Sequence, residues 1–195
     1  MKKLLACFLA FTAVITMAFA PKRVNDPVQI LDPDTVALVN DKDIRYERSD
    51  AQPQIYLQTQ QGLKLKAHKH VTGNRIYIMV GIKGSRANVK VFRGSGVKKW
   101  LSQEKCDQMV VSQSSQLKPK NEKDFNQSLR KIVQGLATLV EDHYGIGHDN
   151  SSLGKQQVNK MLHPHRTSLP FALGVGIVVF GLFWFARNRK LDLDK

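Results

Sequence analysis

The eighteen residues from Leu169 to Ala186 carry no charge, and Arg187-Asn188-Arg189-Lys190 follows at once. As a helix that run matches the ~30 Å hydrocarbon core of a bilayer. Backbone amides in lipid must pair within their own segment, so the run is expected to be a transmembrane helix. Pro170 falls in its first turn, where a missing N–H costs least, and Trp184 falls at the inner interface. The basic cluster reads as a stop-transfer flank that holds 187–195 in the cytoplasm.

The opposite end follows the order of a secretory signal over 1–20. Met1-Lys2-Lys3 precedes an apolar stretch from Leu4 to Met17 and then Ala18-Phe19-Ala20, with cleavage expected after Ala18 or Ala20. An uncleaved anchor fits less well, because some seventeen residues at about 1.5 Å each fall short of a ~30 Å core. Leu4-Leu5-Ala6-Cys7 imitates a lipoprotein box but has too little chain upstream of the cysteine. The expected organisation is an extracytoplasmic domain over 21–145, a polar linker over 146–168, the membrane segment 169–186 and the basic tail 187–195. The protein would then sit in the cell membrane as a single-pass chain with its domain outside. Cys106 is the lone cysteine after the signal, so no intramolecular disulfide can form, and it is expected to be an inert buried thiol.

Charge narrows the partner. Residues 21–168 hold 24 Lys+Arg against 14 Asp+Glu, a net of +10, and 64–131 alone hold 16 against 4, a net of +12. A domain tethered outside the membrane meets anionic headgroups, wall polymers and envelope proteins, and no nucleic acid is expected. The contact surface is placed on Lys83, Arg86, Lys90, Arg93, Lys98 and Lys99, with Trp100 as an aromatic anchor if exposed. The alternatives are that these cations form a solvated basic face and that Trp100 belongs to the core.

Local signals outline the domain. Asp32-Pro33-Asp34 reads as a helix start, with Val36, Leu38 and Val39 on its apolar side. Gln54 to Thr59 is β-branched and aromatic and predicts a strand. Arg75 to Ile82 is apolar on both faces over its middle, the pattern of an interior strand. A short turn through Lys83-Gly84-Ser85-Arg86 makes Ala87 to Arg93 its antiparallel partner. Ser102 is placed to cap a helix through Cys106, Met109 and Val110. Asn121 is placed to cap the strongest helix, in which Phe125, Leu129, Ile132, Val133, Leu136, Leu139 and Val140 repeat until Tyr144-Gly145 ends the pattern.

Catalytic and metal signals are thin. Gly94-Ser95-Gly96 lacks the further residues of a nucleotide loop and reads as a turn. His68 with His70, and His163 with His165, offer two imidazoles each, too few for a specific metal site. No cofactor is expected, and the chain is read as more fitted to binding than to catalysis.

In order and spacing, Val24-Asn25-Asp26, Ile30-Leu31-Asp32-Pro33-Asp34, Asn74 to Val80, Arg93-Gly94-Ser95-Gly96-Val97 and Asp124-Phe125-Asn126-Gln127-Ser128-Leu129 resemble the TPM domain family over about residues 24–145. The resemblance implies an α/β fold, a small central mixed sheet sandwiched by helices. It also implies calcium binding or a metal-assisted phosphatase activity, for which Asp26 and Asp124 are the candidate ligands. Two departures weigh against that chemistry and layering. Ser102-Gln103 stands where the family has a Thr-Asp pair, and Gln103 cannot replace a carboxylate on a hard cation. The connection from Gln60 to Asn74 is shorter than the family's, so one layer is expected to be thin or incomplete.

Overall fold

A strand apolar on both sides needs cover on both sides, and that requirement organises the molecule. In the computed structural model, which describes residues 23–66 and 71–164, β3 (Arg75–Lys83) is an interior strand of a four-stranded sheet of order β1-β2-β3-β4. β2 (Gln54–Gln61) pairs parallel to it with Tyr56 opposite Tyr77, and β4 (Arg86–Arg93) pairs antiparallel on its other side with Val91 opposite Ile78. β1 (Val24–Asn25) is a two-residue parallel edge beside β2. The β3–β4 turn is made by Gly84-Ser85, and Gly84 at φ 58° takes the conformation that a type II′ hairpin asks of its first central residue.

Alternation separates the two faces of the sheet. The first carries Ile55, Leu57, Ile76, Ile78, Val80, Ile82, Val89 and Val91, all within one buried core. The helices α1 (Pro33–Tyr46), α2 (Gln103–Gln113), α3 (Glu122–Tyr144) and α4 (Lys155–Leu162) contribute Leu38, Val39, Met109, Phe125, Leu129, Ile132, Leu136 and Met161 to the same core. Each fully buried aliphatic or aromatic side chain contributes about 1.5–3 kcal/mol. Asp32, Ser102 and Asn121 cap α1, α2 and α3, accepting from the amides of Thr35, Lys105 and Asp124 as their side-chain chemistry predicts.

Two expectations are corrected here. The fold is mixed α/β, but among the described residues the helices lie on one face of the sheet and do not sandwich it. The second face carries Tyr56 stacked on Tyr77 at 4.4 Å between ring centroids, together with Met79, Phe92 and Lys90. In place of a helix, the start of the β2–β3 connection lies over that face at Gly81. A Cβ there would strike the Gly62 carbonyl and press on Leu65, so the close approach depends on glycine.

The second correction concerns the polar linker. The folded unit continues past Gly145. Ile146 and Leu153 pack against the core, and α4 buries Val158, Met161 and Leu162. Three apolar residues in an otherwise polar stretch suffice because α2 and α3 supply the surface that covers them. Among the described residues no helix is long and apolar enough to cross a membrane. The signal over 1–20 and the membrane run 169–186 lie outside the described residues.

Candidate functional site

The sheet disperses the predicted basic residues. Lys83 and Arg86 are exposed and face each other across the last rung of the hairpin. Lys90 is exposed on the second face, with its ammonium 5.5 Å from the Phe92 ring centroid. Arg93 points the other way and is already engaged. Its Nε donates to Gln103 Oε1 at 3.0 Å and its Nη1 donates to the Leu101 carbonyl. Lys98 and Lys99 lie exposed on a single 3-10 turn (Val97–Lys99). Trp100 is half-buried, stacked on His143 at 4.2 Å and edge-on to Tyr144 at 5.8 Å, which ties it to the end of α3. Its indole Nε1 is buried without a hydrogen-bond partner. The hairpin cations Lys83, Arg86 and Lys90 are thus the part of the set that β3 and β4 bring together as accessible charge.

Gln103 shows why an amide suits its position. It accepts from Arg93 while its Nε2 donates to the Val91 carbonyl at 3.1 Å and to Asp107 Oδ1 at 2.8 Å. A carboxylate could make neither donation and would repel Asp107. Asp26 is likewise committed to the backbone turn. Its Oδ2 accepts from the Leu31 amide at 2.8 Å and its Oδ1 from the Thr59 hydroxyl at 2.5 Å. Asp124 accepts from Asn121 Nδ2 at 2.5 Å in the cap of α3. Among the described residues no three His, Cys, Asp or Glu side chains gather to hold a metal ion. His163 is exposed, while His68, His70 and His165 lie outside the described residues. Cys106 is fully buried, and burial pushes its thiol up to about 12, which keeps it protonated and unreactive at neutral pH.

The sequence reading missed the largest polar cluster. Lys42 in α1 and Glu141 in α3 are both fully buried, and Lys42 Nζ donates to Glu141 Oε1 at 2.7 Å. The same ammonium donates to Asp149 Oδ1 at 2.8 Å and to Ser152 Oγ at 2.9 Å. Arg45 joins with contacts of 3.2 Å to Glu141 and 2.7 Å to Asp149, and Ser152 Oγ donates to Glu141 Oε2 at 2.6 Å. Two cations and two carboxylates balance. Burial alone would raise the Asp149 carboxyl, but the hydrogen bonds from Lys42 and Ser151 outweigh it and hold it far below the ordinary carboxylate range. Burial, aided by the neighbouring Glu141 charge, pushes the Tyr46 phenol well above its usual value. Lys42 beside Ser152 resembles a Ser-Lys pair. Its three N–H groups are all donated, however, so its nitrogen has no lone pair to offer as a base. The cluster therefore fastens 149–152 to α1 and α3. One signal for it stood in the sequence: Lys42 occupies the stripe of Leu38, Val39 and Tyr46, and Glu141 follows Ala137 by four.

A second lock joins α1 to α3. Arg130 Nη1 donates to Asp32 at 2.6 and 2.7 Å, and Asn126 Nδ2 donates to the Ile30 carbonyl at 2.9 Å while its Oδ1 accepts from the Asp32 amide at 3.0 Å. Burial would raise the Asp32 carboxyl, yet the bonds from Arg130 and Thr35 leave it lowered.

Among the described residues the architecture is a two-layer mixed α/β domain whose buried charges are matched and whose hairpin cations Lys83, Arg86 and Lys90 make no ion pair. No protein-family model and no curated protein matches the chain. Among solved structures, the N-terminal domain of a protein from P. gingivalis is similar with a TM-score of 0.53 at 11% identity, over 70% of this chain and 92% of that one. The N-terminal domain of the cg2496 protein from Corynebacterium glutamicum gives a TM-score of 0.41 at 14% identity, over 70% of this chain and 88% of that one. The P. gingivalis likeness establishes a shared fold and nothing beyond it.

Proposed function

We propose that this chain is a distant TPM-like domain that acts as a binding or stabilising module outside the membrane, anchored by 169–186, for another envelope protein that presents acidic groups. The observation that carries this reading is the contrast in charge use. Lys42, Arg23 and Arg130 are buried or half-buried and paired with carboxylates, whereas Lys83, Arg86 and Lys90 stand exposed on the hairpin. Unmatched surface charge of one sign attracts its opposite and speeds encounter. The commitment of Asp26, Asp124 and Gln103 to backbone and side-chain bonds favours binding over metal-assisted hydrolysis.

The test is capture of acidic proteins from an envelope fraction by the full chain, with Lys83→Glu, Arg86→Glu and Lys90→Glu combined in a second sample. Capture should fall with the triple reversal and with rising salt. Equal capture by both proteins at low salt would remove the electrostatic reading. Retention on anionic vesicles, with no protein captured, would reassign the surface to lipid.

A further inference from the structure

β4 has a strand on one side only. Lys83 and Arg86 close a two-residue hairpin loop, so this pair exchanges both backbone hydrogen bonds, and strict alternation then turns the N–H and C=O groups of Ala87, Val89 and Val91 away from β3. The Val91 carbonyl confirms the phase, because it accepts from Gln103 Nε2 on the outer side. No backbone group pairs with the remaining outward groups among the described residues. The opposite edge of the sheet, β1, offers only two residues. At the Val91 end this edge is closed, since Val91 is fully buried and its carbonyl is taken by Gln103, so the stretch of β4 at which the sheet can be extended runs through Ala87 and Val89.

The side chains along that edge are sorted by face. Arg86, Asn88, Lys90 and Phe92 lie on the second face, and Ala87, Val89 and Val91 on the first. β4 contains no acid. Pairing with a second copy, antiparallel about Val89, would gather Arg86 and Lys90 of both chains on one face with nothing to neutralise them, so self-association along this edge is disfavoured. On the first face, α2 brings Asp107 near the Val91 end through Gln103, which makes acids unwelcome on that side.

Resting on the binding role proposed above, we infer that the outer edge of β4 takes up an extended acidic segment of a partner protein as a fifth strand. That segment has Asp or Glu at alternate positions beside Arg86 and Lys90, and β-branched residues between them beside Ala87 and Val89. Backbone pairing supplies the register, and the two cations select the partner by sign.

The test uses the full chain and two labelled peptides of one composition, Glu-Val-Glu-Val-Glu-Val and Glu-Glu-Glu-Val-Val-Val, with binding read by fluorescence anisotropy. The alternating peptide should bind about tenfold more tightly or better, and its binding should protect the amides of Ala87 and Val89 from hydrogen exchange. Val89→Pro removes an outward N–H without touching the β3–β4 ladder and should weaken the alternating peptide by about tenfold. Arg86→Glu with Lys90→Glu should weaken both peptides at low salt. If Val89→Pro alters the thermal melt, exchange protection in the unaltered chain decides. Equal binding of the two peptides, or binding without protection of the Ala87 and Val89 amides, overturns strand addition and leaves the acidic-partner reading standing. Binding of neither peptide, while acidic envelope proteins are still captured, overturns the edge as the contact. Crosslinked pairs of the chain joined through β4 would overturn it in favour of self-pairing.

Discussion

The Lys42–Glu141–Asp149 cluster and the β3–β4 hairpin both contain several charges, and they use them oppositely. In the cluster, burial makes an unpaired ion so costly that all three Lys42 N–H groups and both Glu141 oxygens meet a partner, and two cations balance two carboxylates. On the hairpin, water solvates Lys83, Arg86 and Lys90 at little cost, so nothing in the fold requires them to be matched. Charge count alone does not mark a site of function in this protein. The contact proposed above rests instead on where exposed charge is gathered by the fold.

That contrast can be broken or sharpened by substitution. Glu141→Leu leaves Lys42 buried beside one fewer carboxylate and should cost about 3–5 kcal/mol in a denaturant titration of the full chain. Adding Lys42→Met should restore most of it, since Arg45 and Asp149 keep their 2.7 Å pair. A double variant no more stable than the single one would mean that the pair is not the source of the loss. Asp32→Ala should cost about 1–2 kcal/mol, because it removes the α1 cap and strands Arg130. Acid should loosen the cluster in a defined window. The folded Asp149 value lies below the unfolded one of about 3.9, so its contribution is complete above that pH and is lost as pH falls through the folded value. Asp149→Asn should flatten that acid limb in a plot of stability against pH. Lys83→Glu with Arg86→Glu should move stability by no more than about 0.5 kcal/mol while lowering capture of acidic partners. A large loss of stability there would show that the hairpin cations are structural after all.

Elements with strong local signals were legible in the sequence. α3 runs from the Asn121 cap to Gly145, and α2 starts at the Ser102 cap, because capping chemistry and a 3.6-residue apolar repeat act within a few residues of each other. β3 and β4 were equally plain, since a double-sided apolar strand and a two-residue turn leave little choice. α4 was hidden. Val158, Met161 and Leu162 among lysines and glutamines mean nothing until α2 and α3 provide a surface. The two-residue β1 is too short to signal itself. The basic residues were identifiable as types but not as a surface, because alternation sends Lys90 and Arg93 to opposite faces and only the Gln103 contact shows that Arg93 is engaged. The buried cluster escaped because hydrophobic patterning treats a charged residue as outward by default, and Lys42 breaks that rule only in company with Glu141.

The bond from Lys42 to Asp149 joins positions 107 apart in the chain. A polypeptide emerging from its N-terminus must therefore hold Lys42 without its full set of partners until almost everything through Ser152 has arrived. A fragment trimmed after Gly145 would be a wounded domain rather than a smaller one, with an ammonium ion in its interior still waiting for two of its three partners.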